Sequence, residues 1–101
     1  MVRYLVTVRV TPERYAEFSS MGFDAAAAMG SQSWERFGGR TLCYYFGNAA
    51  SQWHVMAVGE VPNREAAFAL ASAVYQLGGV VEASLLELFT GAEADAALVK
   101  P

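Results

Sequence analysis

The chain has 101 residues, 54% of them apolar and 17% charged, with a net charge of −3 and a pI near 5.0. That length suits one domain with a single modest core and excludes a second folded domain. The seven Lys and Arg residues are scattered rather than gathered in a stripe, which excludes nucleic acid and anionic membrane surfaces as partners, because phosphates reward a basic face. No apolar run reaches the roughly eighteen residues a spanning helix needs. Met1-Val2-Arg3-Tyr4 leads into a strand pattern without a secretory leader, and the single cysteine permits no internal disulfide. A cytoplasmic protein is expected. So much apolar surface exceeds what a lone domain of this size can hide, so a homodimer or higher homo-oligomer is expected too.

Val2 to Val10 alternates, with Tyr4, Val6, Val8 and Val10 on one face and Arg3, Leu5, Thr7 and Arg9 on the other, the period of a strand. Thr11-Pro12-Glu13 supplies an N-cap, a proline at the first helical position and an acid at the positive end of the helix dipole. In the helical stretch that follows, Tyr15, Phe18, Gly22, Ala25 and Met29 share a side. Gly22 and Gly30 weaken it, so one helix and a pair broken near Ser19 to Gly22 are both compatible. Gly38-Gly39 ends the helical stretch, and a second strand covers Arg40 to Phe46. After a loop at Gly47 to Ser51, a third strand is expected over Gln52 to Val61, with His54, Met56 and Val58 on one face and Trp53, Val55, Ala57 and Gly59 on the other. Pro62 ends it. A helix capped by Asn63 runs through Leu77, Gly78-Gly79 closes it, and a fourth strand covers Val80 to Phe89. Thr90-Gly91-Ala92-Glu93 has the form of a capping box and starts a short C-terminal helix or tail over 90–101.

The order β-α-β-β-α-β predicts one α+β domain of ferredoxin-like type, with an antiparallel sheet and helices on one face. Every strand keeps apolar or aromatic residues on both faces. Two open sheet faces meeting in a dimer would cover them and enclose a barrel-like space for a small molecule.

The residues in this pattern resemble the GYD domain family, a branch of the dimeric α+β barrel superfamily. The resemblance covers most of the chain: the Tyr4 strand followed by Thr11, Gly38-Gly39 before an aromatic strand, Tyr44-Tyr45 with Gly47, Glu60-Val61-Pro62, and the glycine pair before the fourth strand. It departs where the family takes its name, since Trp53-His54 stands here for the Tyr-Asp. The resemblance implies a dimeric α+β barrel. Relatives in the wider superfamily include cofactor-free monooxygenases, isomerases and small-molecule sensors.

His54 is the one side chain whose free form titrates near neutral pH. On the face shared with Met56 it is a candidate base, and at a strand end bonded to the backbone it is a structural residue. Arg9 and Thr7, on the polar face of the first strand, are candidates for holding an oxyanion or carboxylate, with a strand-end salt bridge the plain alternative for Arg9. Tyr44 and Tyr45 point to opposite faces, so at most one enters any one cavity, and Trp53 and Met56 complete the candidate ligand contacts. One histidine and one cysteine are too few for a dedicated zinc or iron site. No glycine-rich phosphate loop occurs, so neither metal nor nucleotide cofactor is expected. Three functions fit: a small cofactor-independent enzyme of isomerase, cyclase or monooxygenase type moving a proton on an aromatic or enolic molecule with His54 as base, a non-catalytic binder of a hydrophobic small molecule, and a structural dimer module.

Overall fold

The computed structural model describes residues 1–99; Lys100 and Pro101, the end of the expected tail, lie outside the described residues. The elements run β1 (Val2–Val10), α1 (Pro12–Met21), α2 (Phe23–Arg36), β2 (Arg40–Phe46), β3 (Val55–Val61), α3 (Arg64–Gln76), β4 (Val80–Glu87) and α4 (Gly91–Val99). The strands form one antiparallel sheet of order β2-β3-β1-β4, the arrangement of a ferredoxin-like α+β domain.

Local chemistry explains the boundaries. The Thr11 side chain accepts the Arg14 N–H and opens α1, and Asn63 does the same for Ala66 at α3. The helical stretch is divided in two at Gly22, whose φ of 99° lies in a region that side chains avoid. At α4 the capping box is reciprocal: the Thr90 N–H donates to Glu93 Oε1 at 2.7 Å and the Glu93 N–H to Thr90 Oγ1 at 3.1 Å. Arg3 pairs with the same carboxylate and ties the start of α4 to β1.

Two strands are shorter than the alternation implies. β4 stops at Glu87 rather than Phe89. β3 starts at Val55 rather than Gln52, because a turn built on Asn48 holds the chain out of the sheet. Asn48 Oδ1 accepts from the Ala50 N–H and the Ser51 hydroxyl, and the Asn48 carbonyl accepts the Ser51 N–H. Gly47 N–H then donates to the His54 carbonyl and closes the loop.

Register gives each face its residues. Val6 stands opposite Ala57 and Leu85, and Val8 opposite Val55 and Ala83, so this face meets α1, α2 and α3. The core is built there from Tyr4, Val6, Val8, Val10, Val55, Ala57 and Val61 with Trp34 of α2 and Ala67 and Leu70 of α3. The six-membered ring of Trp34 lies over Gly59, where a Cβ would come within 2.6 Å of it. Among the described residues the opposite face has no helix over its centre; it carries Leu5, Val58, Met56, Cys43, Tyr45 and Leu86, flanked by the pairs Arg9 with Glu82 and Arg40 with Glu60.

Candidate functional site

The residues singled out from the sequence fall into separate places. His54 precedes β3 instead of sharing a strand face with Met56 and Val58. Its backbone N–H donates to the Val8 carbonyl, and its ring turns toward α1, edge-on to Tyr15 with centroids 5.2 Å apart. Nδ1 accepts the buried Val10 N–H at 3.0 Å, and Nε2 lies 3.3 Å from the Ala49 carbonyl. These contacts define the tautomer with its proton on Nε2. Continuing the β1–β3 register from Val8 and Val55 would set Trp53 opposite Val10, but Trp53 has left the sheet. The imidazole therefore supplies the acceptor that a longer strand would have provided. Both ring nitrogens are engaged with main chain, the structural alternative for this residue.

Arg9 and Thr7 lie on the open sheet face, away from His54. Arg9 Nη2 bonds Glu82 Oε1 at 3.1 Å across the β1–β4 pair, the salt-bridge role, although its Nε is buried without a partner among the described residues. Thr7 is buried between Met56 and Ser84, and Tyr45 continues the same cross-strand row, 62% exposed. Trp53 is half-buried in the loop. The structure thus brings Thr7, Met56 and Tyr45 together, with Arg9 alongside, and separates all of them from His54 and Tyr44.

A partly open pocket lies on the other side of the sheet. A cavity of about 270 Å³ lies between the helix-facing side of β1, β2 and β3 and helices α1, α2 and α3. Its walls include Val6, Val8, Val55, Ala57, Trp34 and Leu70; Phe18 of α1, Met29 of α2 and Val74 of α3 also contribute. Ala26 and Gly30 of α2 and Ala57 of β3 are its small wall residues, and the space beside Gly30 is taken by the Tyr44 ring.

Of the predicted ligand contacts, Tyr44 alone reaches this cavity. Its hydroxyl lies against Gly30, where a side chain on α2 would collide with it, and no hydrogen bond engages it among the described residues. Burial raises the Tyr44 phenol above its ordinary value of 10.0, so it is held neutral. Arg14 sits at the rim, pairing with Glu17 at 2.8 Å and donating to the Leu77 and Gly78 carbonyls at 2.6 and 3.1 Å. It joins α1 to the negative end of α3. A second groove beside α1, about 600 Å³ in volume and lined by Tyr15, Ser19, Ser20, Ala49 and His54, is more open to solvent.

The cavity walls were missed from the sequence. Gly30 was the available signal: a glycine inside a helix costs about 1 kcal/mol against alanine, so its presence points to a close neighbour.

Among the described residues, no three His, Cys, Asp or Glu side chains cluster to hold a metal, and no helix is long and apolar enough to cross a membrane. Compared with family profiles the chain matches none, and no curated protein is significantly similar to it.

Proposed function

We propose that this chain is one protomer of a homodimer that binds a small hydrophobic or aromatic molecule in the cavity beneath its helices. The observation that carries the binding is a pocket of about 270 Å³ between sheet and helices, apolar in its deeper walls and open to solvent at a polar rim. The dimer rests on the uncovered sheet face, where Tyr45, Leu86 and Met56 are exposed around Leu5 and Val58. Paired charges at its margin suit an apolar interface with a polar rim. A GYD-like assembly through these sheets accords with the uncovered face, and the single unpaired cysteine accords with a reducing cytoplasmic setting.

Proton transfer is the less supported reading. It needs a base with a free nitrogen beside an oxyanion holder, and His54 spends both nitrogens on main-chain groups while Arg9 and Thr7 occupy the opposite face. Native mass spectrometry of protein taken gently from cells tests the proposal. A dimer carrying a small adduct released by mild activation is the expected result, and a bare 10.9 kDa monomer contradicts both parts.

A further inference from the structure

We infer that the occupant of the cavity is an uncharged, single-ring molecule bearing one hydroxyl or carbonyl group, which hydrogen-bonds to the Tyr44 hydroxyl. This rests on the proposed cavity binding and adds the chemistry of the ligand.

Size comes first. A cavity of about 150 Å³ lined by apolar side chains admits benzene, so 270 Å³ holds one ring with a short substituent and is tight for two. Charge comes second. The deep walls of Val8, Val55, Ala57, Trp34 and Leu70 offer nothing to an ion. Of the charged rim residues, Glu17 and Arg36 are exposed, and Arg14 is committed to Glu17 and to the end of α3. An ionised group pushed inward would lose its water with no counter-charge.

The third point is the hydroxyl. Tyr44 is delivered by β2 to the helix face opposite Ala57, and Gly30 leaves space for the phenol at the edge of the cavity. The hydroxyl there has no partner from the protein, so an oxygen of the ligand can replace the water that otherwise meets it. As a neutral phenol it both donates and accepts, so it serves a carbonyl or a hydroxyl equally.

The test is calorimetric titration of the intact protein and of Tyr44→Phe with toluene, p-cresol and p-toluate, which share a ring and a methyl group. The wild type is expected to bind p-cresol at least as tightly as toluene and p-toluate at least about tenfold more weakly, while Tyr44→Phe keeps its affinity for toluene and loses about tenfold for p-cresol. Binding of toluene with p-toluate matching p-cresol, or with p-cresol weaker than toluene in the wild type, overturns the Tyr44 assignment and leaves the cavity reading standing. An unchanged p-cresol affinity in Tyr44→Phe does the same. Failure of both toluene and p-cresol to bind removes the cavity reading itself. The wild-type arms decide the matter alone should the variant fold poorly.

Discussion

Replacing His54 with leucine separates the structural role of this residue from a catalytic one. Leucine keeps apolar bulk against Tyr15 but has no acceptor, so the Val10 N–H, buried at the end of β1, loses its bond to the His54 ring. An orphaned buried donor costs about 1–3 kcal/mol. The second contact, 3.3 Å from Nε2 to the Ala49 carbonyl, adds little, because Ala49 is exposed and water replaces the ring there. A loss of about 2 kcal/mol is therefore expected, which lowers Tm by roughly 10 °C in a domain of this size. Urea unfolding at fixed protein concentration measures it, with the slope against urea unchanged. His54→Asn, whose side-chain oxygen occupies nearly the place of Nδ1, is expected to recover part of the loss. A His54→Leu variant within about 0.5 kcal/mol of wild type would refute the reasoning, since surface substitutions fall in that range.

Other perturbations reach the remaining parts of the account. Gly30→Ala gains about 1 kcal/mol of helix propensity, yet its methyl takes the place of the Tyr44 hydroxyl and turns that ring into the cavity; the protein stays folded and its toluene affinity falls in calorimetry. Gly59→Ala has no such outlet, because its Cβ would meet both the Trp34 ring and the Arg40 carbonyl at 2.6 Å; a loss of about 1–3 kcal/mol is expected in urea unfolding, and a neutral result would contradict the packing described. The Glu93 carboxylate is held below its ordinary 4.5 first by the Thr90 backbone N–H, then by Arg3 and the Thr90 hydroxyl. A depressed value means stabilisation of α4 that is present above pH 4.5 and lost as pH falls through the lower folded-state value. Protection of the Glu93 and Thr90 amides, measured against their intrinsic exchange rates, should fall over that acid range, and Glu93→Gln should flatten the dependence.

What was legible in the sequence was local. The valine alternation of β1, the Thr11 and Asn63 caps and the Thr90 to Glu93 box each need only a few neighbouring residues, and all of them form as read. The opposite orientation of Tyr44 and Tyr45 was also legible, since side chains alternate along any strand. Which of the two faced a cavity was not, because that depends on register against β3 and on where the helices lie. His54 was misplaced for a similar reason. Alternation from Gln52 to Val61 is compatible with a continuous strand, and only the hydrogen bonds of the Asn48 turn hold the chain out until Val55. The cavity is the least local feature of all, because its walls come from strands and helices that meet only in the folded chain.

Methyl NMR of the wild-type protein titrated with toluene tests the central claim most directly, because the two faces of the sheet carry different methyl groups. Shifts confined to Val8, Val55, Leu70 and Val74, with Leu5, Val58 and Leu86 unmoved, are the predicted result. Shifts at Leu5, Val58 and Leu86 with the cavity residues silent would place the ligand on the open sheet face and contradict the account.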